Sequence, residues 1–134
     1  MLYIGVDLGT SAVKLLLMDG SGRIHKVVSR EYPLYFPHPA WSEQNPEDWF
    51  TASMDGMKEL TSECDKSQVA GISFGGQMHG LVTLDQADEV IRPAILWNDG
   101  RSEKETDYLN QTKSCPLTRP TLPSPASRPL RFSG

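Results

Sequence analysis

The sequence has little of several features that mark broad classes of proteins. Its 134 residues hold two cysteines, too few and too unpatterned for a disulfide framework or a zinc site. No apolar run reaches the roughly 18 residues of a membrane-spanning helix, and no basic stretch precedes the first apolar run as in a signal peptide. Basic residues number 13 and acidic residues 17, giving a net charge of −4, which argues against nucleic acid as a partner. We therefore expect a cytoplasmic protein without nucleic-acid or membrane partners.

Two apolar runs near the N-terminus flank a short polar turn. Residues 2–6 precede Asp7, and a second apolar run follows at residues 15–18, so the pattern predicts a β-hairpin. Backbone N–H groups of a glycine-containing turn can bind an anion, and a neighbouring carboxylate can hold a cation. This combination suits the γ-phosphate of a nucleotide with magnesium. The alternative is a plain hairpin whose aspartate and threonine satisfy the turn. The turn residues in question are Gly9, Thr10 and Ser11.

The next segments predict a third strand, a loop and a helix. Residues 23–32 follow a turn signal and are expected to add an antiparallel strand, with His25 on the surface. Prolines in residues 33–46 favour an extended loop, and Pro46 with two following acids predicts a helix start. The helix is expected to run to about residue 63. Apolar residues at helical spacing predict its core face: Trp49, Phe50, Met54, Met57 and Leu60.

Two more polar clusters follow apolar runs. Residues 69–74 predict a buried strand that leads into the glycine-flanked residues 75–80, and ligands bind at such carboxyl ends in open α/β sheets. A glycine-rich turn with a satisfied histidine is the alternative. Residues 81–92 predict a hairpin, and residues 93–97 lead into a third polar cluster at residues 98–101. Residues 102–112 predict a helix with a solvated, charged face. The order of elements indicates an α/β protein.

Four motifs together resemble the FGGY carbohydrate kinases, in order and spacing. They are Ile-Gly-Val-Asp-Leu-Gly-Thr-Ser at 4–11, Trp-Ser-Glu-Gln-Asn-Pro at 41–46, Gly-Gln-Met-His-Gly at 76–80 and Ile-Leu-Trp-Asn-Asp-Gly-Arg at 95–101. The last two are most similar to those of the xylulose-phosphorylating members. Glycerol kinases of the family carry an Arg-Glu pair where this chain has Met78 and His79. The resemblance covers about residues 2–112.

The resemblance implies a ribonuclease H-like, actin-type fold with a mixed sheet and two domains around a cleft. Residues 1–113 would then be a partial N-terminal, sugar-binding domain. The implied reaction is ATP-dependent phosphorylation of D-xylulose to D-xylulose 5-phosphate, with Mg²⁺ as the metal. The implied partners are therefore a small-molecule sugar and ATP, and a homodimer is one assembly state open to the full-length parent.

The resemblance also implies roles for single residues. Asp7 would place magnesium and the transferred phosphoryl group. Lys14 would neutralise phosphate charge, or else simply face solvent from its strand. The phosphate site would be lined by Gly9, Thr10 and Ser11. The sugar would contact Gln77, Met78 and His79, in a pocket that is shaped or polarised by Trp97, Asn98 and Asp99. Phosphoryl transfer depends mostly on positioning and electrostatics, which suits such dispersed groups.

Two parts of the family's machinery are not expected in this chain. The catalytic base of the family is an aspartate further along the N-terminal domain, and the adenine-binding residues belong to the second domain. We therefore expect no turnover from these 134 residues alone. Two alternatives stay open: another FGGY sugar kinase, acting on gluconate or ribulose, and a non-catalytic sugar-binding half-domain.

The composition changes abruptly after Lys113. Residues 114–134 are rich in proline, serine and arginine and contain no acid, which predicts either a disordered tail or an out-of-frame translation. Suppose that each original codon combined the third base of one present codon with the first two bases of the next. From Pro123 onwards, such codons could encode Phe-Ala-Gly-Phe-Thr-Ala-Pro-Lys-Ile-Leu-Trp. That is the continuation which the family resemblance implies. We therefore expect a one-base frameshift near Lys113.

Overall fold

The computed structural model describes residues 1–111, which form a four-stranded mixed sheet, a two-stranded sheet and two helices. A single 3₁₀ turn, Lys66–Gln68, precedes β5. The elements in chain order are β1 (Leu2–Leu8), β2 (Ala12–Asp19), β3 (Ile24–Glu31), β4 (Glu43–Gln44), α1 (Pro46–Leu60), β5 (Val69–Gly76), β6 (Ala94–Ile95) and α2 (Glu103–Gln111).

The larger sheet has the strand order β3-β2-β1-β5. The first three strands are antiparallel neighbours, and β5 lies parallel to β1 on its other side. This arrangement confirms the predicted hairpin, the third strand and the α/β class with a mixed sheet. It also brings the carboxyl ends of β1 and β5 to the same edge, because parallel strands end on the same side of a sheet.

Helix α1 begins where the sequence predicts it. The side chain of Asn45 accepts a hydrogen bond from the Glu47 N–H at 3.2 Å, and Pro46 occupies the first turn. The helix packs across β2 and β3, and Gly56 lets it approach the side chain of Leu15 closely. The core between the helix and the sheet consists of Ile4, Val6, Val13, Leu15, Leu17, Val28, Tyr32 and Leu60.

Two predictions of burial were wrong. Phe50 and Met54 of α1 are exposed, whereas Trp49, Met57 and Leu60 do face the core as predicted. Strand β5 was predicted to be buried, yet Phe74 is 74% exposed and Ile72 is 50% exposed. The reason is geometric, because α1 covers β2 and β3 and no helix of the described part of the chain covers β5.

The predicted hairpin at residues 81–92 is present, but its paired part is very short. An isolated antiparallel bridge joins Leu84 to Val90. On either side of it, the N–H of Asp85 donates to the carbonyl of Glu89 at 2.9 Å, and the N–H of Ile91 donates to the carbonyl of Thr83 at 3.0 Å. The carboxylate of Asp85 holds the turn by accepting hydrogen bonds from the N–H groups of Ala87 at 2.8 Å and Glu89 at 3.0 Å. The side chain of this aspartate therefore adds to the backbone pairing that closes the turn.

The structure also bears on the predicted positions of His25 and of the charged helix. His25 is on the surface as predicted, but its Nε2 lies 2.8 Å from Asp19 Oδ2. The Ser21 hydroxyl and then His25 hold the pKa of Asp19 well below its usual range. Helix α2 confirms the predicted charged helix. Within residues 1–111, no helix has the length and apolar character needed to cross a membrane. The predicted tail, residues 114–134, lies outside the described residues.

Candidate functional site

The turn between β1 and β2, residues 9–11, is held by its own backbone and is called the β1–β2 turn below. The N–H of Gly9 donates to the carbonyl of Ala12 at 3.0 Å, which closes the hairpin. A Cβ on Gly9 would lie 3.0 Å from that same carbonyl oxygen, so a larger residue would crowd the closure. Thr10 and Ser11 carry their hydroxyls at the end of the hairpin, as the sequence predicted.

Tyr32 fixes the β1–β2 turn from the side. Its hydroxyl donates to the carbonyl of Gly9, and its backbone N–H donates to the carbonyl of Ser11 at 3.2 Å. The residue is 8% exposed. Burial, and secondarily the negative charge of Asp7, raise the pKa of Tyr32 to about 12. The phenol therefore stays protonated at neutral pH and remains a hydrogen-bond donor to the turn.

The segment after β5, residues 77–80, lies beside the β1–β2 turn and is called the β5 exit loop below. The N–H of Gln77 donates to the carbonyl of Leu8 at 2.8 Å, which continues the pairing of β1 and β5 one residue beyond the end of β5. Met78 is 66% exposed, and His79 has a φ of 63°, which is uncommon for a residue with a side chain. The structure therefore brings together two clusters separated by more than 60 residues in sequence.

The third cluster reaches the same edge of the sheet. Ile95 pairs with Leu81, the residue after the β5 exit loop, through hydrogen bonds of 2.8 Å and 3.2 Å. Two residues later, the indole Nε1 of Trp97 donates to Thr10 Oγ1 at 3.3 Å. Because Trp97 uses an acceptor position of that hydroxyl, the Thr10 proton remains available for donation to a ligand. Asn98 follows Trp97 and is exposed.

Asp7 and Lys14 face each other on the outer side of the sheet. They are cross-strand partners in β1 and β2, and Gly75 of β5 stands opposite Asp7 on its other side. All three line a cavity of about 480 Å³ over this face. Among residues 1–111, no cluster of three or more potential metal ligands exists. A single carboxylate is nonetheless compatible with Mg²⁺, which keeps several waters and binds through one or two carboxylates together with substrate phosphates.

Asp99 is bound within the protein rather than exposed at its surface. Its carboxylate accepts four hydrogen bonds, and its side chain is 2% exposed. One comes from the Ser42 N–H at 2.7 Å, and three come from Arg101 at 2.8 to 2.9 Å. Arg101 also pairs with Glu43 at 2.6 Å and lies 3.7 Å above the ring of Trp41. Asp99 thus ties the segment after β6 to the loop before β4.

These contacts set the charge state of Asp99. Burial favours the neutral form, but the hydrogen bonds from Arg101 and from the Ser42 amide outweigh it and lower the pKa of Asp99. A carboxylate with a lowered pKa and four donors is a poor proton acceptor. This geometry agrees with the sequence interpretation, in which Asp99 was not assigned as the catalytic base.

Two residues of the site were missed by sequence reasoning. Gln44 is fully buried between the β1–β2 turn and the β5 exit loop, and Tyr32 clamps the turn. Gln44 belongs to the motif at residues 41–46, which served only as a marker of the family. Tyr32 ends a strand-forming segment and carries no motif at all. Residue spacing could not reveal either role, because both depend on contacts across the fold.

Comparison with known proteins places the chain in a family. A family model described as the N-terminal domain of the FGGY family of carbohydrate kinases matches residues 2–122. The xylulose kinase of Klebsiella pneumoniae is 43% identical over 113 residues, which cover 84% of this chain and 23% of that protein. The xylulose kinase of Bacillus subtilis is 45% identical over 131 residues, covering 90% and 26%.

A solved structure gives the same answer for the fold. The crystal structure of xylulose kinase from Rhodospirillum rubrum matches with a TM-score of 0.78 and 31% identity, covering 82% of this chain and 23% of that one. The predicted ribonuclease H-like, actin-type fold is thereby confirmed. The chain spans about a quarter of the length of the curated relatives it matches, 23% and 26% for the two above. It belongs to the FGGY family of carbohydrate kinases and matches the N-terminal domain of that family.

Proposed function

We propose that this chain forms the sugar- and phosphate-contacting part of a xylulose kinase, which transfers the γ-phosphoryl group of ATP to D-xylulose. One observation carries the proposal: the β1–β2 turn and the β5 exit loop meet at the carboxyl ends of β1 and β5, joined by the 2.8 Å hydrogen bond from Gln77 to Leu8. Phosphoryl transfer needs the acceptor hydroxyl beside the transferred phosphate. A phosphate-binding turn and a sugar-binding loop at one edge of a sheet meet that requirement.

The β5 exit loop is the proposed sugar-binding element. His79, held at a positive φ, presents an imidazole that can donate or accept a hydrogen bond to a sugar hydroxyl, and Met78 offers an exposed apolar side chain next to it. Gln77 anchors the loop to β1. Trp97 and Asn98 are proposed to form the neighbouring wall, and Asp99 acts on them indirectly by fixing their backbone to Ser42.

The β1–β2 turn is the proposed phosphate-binding element. The hydroxyls of Thr10 and Ser11 are donors for phosphate oxygens, whereas the Gly9 N–H already closes the hairpin. Lys14 would offset phosphate charge across the strand from Asp7, and Asp7 would hold Mg²⁺ through bound water or directly. Bound Mg²⁺ would neutralise charge on the phosphates during transfer. ATP with Mg²⁺ and a sugar are thus the proposed small-molecule partners, in the cytoplasm, and a homodimer is the proposed assembly of the full-length parent.

A hybrid kinase tests the sugar assignment. Residues 1–111 of this chain replace the matching segment of the Bacillus subtilis xylulose kinase, and kcat/KM is measured with D-xylulose, D-ribulose, D-gluconate and glycerol. We expect D-xylulose to be preferred by about 10-fold or more. A higher kcat/KM for gluconate or ribulose would reassign the sugar, and a hybrid that folds but phosphorylates none of them would refute the proposal.

Two variants of the hybrid serve as test and control. Replacing Met78→Arg together with His79→Glu changes the pair proposed to contact the sugar, and we expect xylulose phosphorylation to fall by about 100-fold. Gln86→Glu lies in the exposed turn after residue 85 and is expected to leave kcat/KM unchanged. Equal effects of both changes would mean that the β5 exit loop has no special role.

A further inference from the structure

Gln44 is a fully buried side chain whose hydrogen-bonding capacity is entirely used. It is 0% exposed and lies at the end of β4. Its Nε2 donates to the carbonyls of Thr10 at 2.7 Å and Pro33 at 3.2 Å. Its Oε1 accepts from Trp49 Nε1 at 3.0 Å and from Gln77 Nε2 at 3.2 Å. One carboxamide therefore connects four segments that are distant in sequence.

The chemistry of its partners permits only one orientation of this amide. An indole N–H is purely a donor, so the atom facing Trp49 must be the oxygen. The two backbone carbonyls are purely acceptors, so the atom facing Thr10 and Pro33 must be the nitrogen. The amide of Gln77 is oriented in turn, because only its nitrogen can donate to Gln44 Oε1. The order of donors and acceptors thus runs without a break from one loop to the other.

Both loops of the proposed active site are at the ends of this chain of hydrogen bonds. Thr10 belongs to the β1–β2 turn, and Gln77 opens the β5 exit loop. We propose that Gln44 is a positioning residue that sets the separation between these two loops, and hence between the phosphate and the sugar hydroxyl. This inference rests on the proposed function. It assigns Gln44 no contact with either substrate.

Positioning of this kind affects catalysis more than binding. Each loop can still bind its own substrate when the link is cut, because its own anchors remain: Tyr32 for the turn and Leu8 for the exit loop. The distance between the two bound groups would change, and a displacement of about 1 Å can lower a rate about 100-fold. A purely structural role for Gln44 would lower stability and leave the turnover of the folded enzyme nearly unchanged.

The first test uses the indole resonances of the whole 134-residue chain. The chain has three tryptophans, and Trp97 reports on the β1–β2 turn because it donates to Thr10. We expect Gln77→Met, a change in the exit loop, to move the Trp97 ¹H–¹⁵N resonance in the wild-type background. In a Gln44→Met background, Gln77→Met should leave the Trp97 resonance at the position that it has in the Gln44→Met single variant. Thr61→Val removes a buried hydroxyl at the C-terminus of α1 and is the matched control. It should leave the Trp97 resonance unmoved in both the wild-type and the Gln44→Met background.

Each other result of this experiment contradicts the proposal. If Gln77→Met moves Trp97 equally in both backgrounds, the loops communicate through Leu8 or through the pairing of Leu81 with Ile95, and Gln44 is not the link. If Gln77→Met has no effect in either, the loops are not coupled. If the Trp49 resonance of the unsubstituted chain has the position of a free indole, the hydrogen bond to Gln44 is absent.

The second test is kinetic and uses the hybrid kinase. We expect Gln44→Met to lower kcat about 100-fold while the KM values for D-xylulose and ATP change by less than about threefold. Thr61→Val should keep kcat within about twofold. An unchanged kcat, or a loss confined to KM, would refute the positioning role. If the unsubstituted hybrid phosphorylates no sugar, the proposed function fails, and the resonance experiment still decides whether Gln44 couples the loops.

Discussion

At the scale of single residues, the hydrogen bonds to the buried carboxylate of Asp99 hold one part of the candidate site in a fixed position. Four donors surround it, and three of them belong to Arg101, whose guanidinium also reaches Glu43 and the ring of Trp41. A buried pair of this kind contributes little net stability, yet breaking it leaves one charge unpaired. The arrangement therefore favours one geometry of the segment after β6 over others.

Asp99→Asn should lower the free energy of unfolding by about 3 kcal/mol at pH 7, because an amide N–H₂ would face donors from Arg101 and Ser42. The measurement is urea unfolding of both proteins. Asp55→Asn is the control, since Asp55 forms an exposed pair with Lys58 that should contribute less than about 1 kcal/mol. A loss at Asp99 no larger than at Asp55 would contradict the prediction.

The pairing of Asp99 with Arg101 also predicts how the stability difference between wild type and Asp99→Asn varies with pH. The pKa of Asp99 is lowered in the folded protein, so its contribution is fully present above the unfolded pKa, about 3.9, and is lost as pH falls through the folded pKa. The gap between wild type and Asp99→Asn should therefore narrow in unfolding experiments carried out below about pH 4. A gap that stays constant to pH 2.5, about 1.4 pH units below that unfolded pKa, would show that the pKa is not lowered by these contacts.

At the scale of elements, the packing of α1 on β2 depends on a single glycine. Gly56 is buried in the middle of the helix, and a Cβ added there would lie 2.5 Å from Cδ1 of Leu15. Leu15 is itself 0% exposed, so any movement of its side chain must be accommodated within the core. Close approach of helix and sheet therefore outweighs the poor helix propensity of glycine at this position.

Gly56→Ala should destabilise the protein by about 1 kcal/mol or more, because overpacking of 1–3 kcal/mol exceeds the gain in helix propensity. Thr51→Ala, at an exposed position of the same helix, should show no such loss. Adding Leu15→Val to Gly56→Ala should recover part of the stability, giving a coupling of about 1 kcal/mol in a double-mutant cycle of thermal unfolding. Additive effects would mean that Leu15 does not cause the clash.

The sequence could predict the elements that depend on contacts between nearby residues, but not the roles that depend on contacts between residues distant in sequence. The strands β1 to β3 and the start of α1 depend on local signals, such as the turn at Asp19 and the cap at Asn45, and their prediction was correct. The roles of Tyr32 and Gln44 depend on hydrogen bonds across 23 and 34 residues. No local pattern contains that information, although the motifs did lie in the loops that the structure brings together.

At the scale of the whole molecule, the boundary near Lys113 is a prediction about the gene. The family model matches residues 2–122, nine residues beyond Lys113, and this overlap counts against a shift at Lys113 itself. We propose a one-base shift near codon 113, and sequencing the DNA tests it. A second reading frame after that codon should encode Phe-Ala-Gly-Phe-Thr-Ala-Pro-Lys-Ile-Leu-Trp or a close variant. Absence of that peptide from both other frames would refute the shift.

The uncovered side of β5 affects how the whole chain behaves in solution. Phe74 and Ile72 stand on the face that α1 covers elsewhere in the sheet, and the outer edge of β5 has no neighbouring strand within residues 1–111. An open strand edge beside exposed apolar side chains favours association between copies. We therefore expect the 134-residue chain to self-associate with increasing concentration in sedimentation velocity experiments.

Substitution at β5 should distinguish this face from other exposed apolar residues. Phe74→Gln removes the single aromatic side chain of β5, and we expect association to weaken by about tenfold, since roughly 1.4 kcal/mol of apolar contact is lost. Phe50→Gln changes a phenylalanine that is 63% exposed on α1, away from β5, and should leave association unchanged. If Phe50→Gln weakens association as much as Phe74→Gln does, general surface hydrophobicity rather than the open side of β5 drives it.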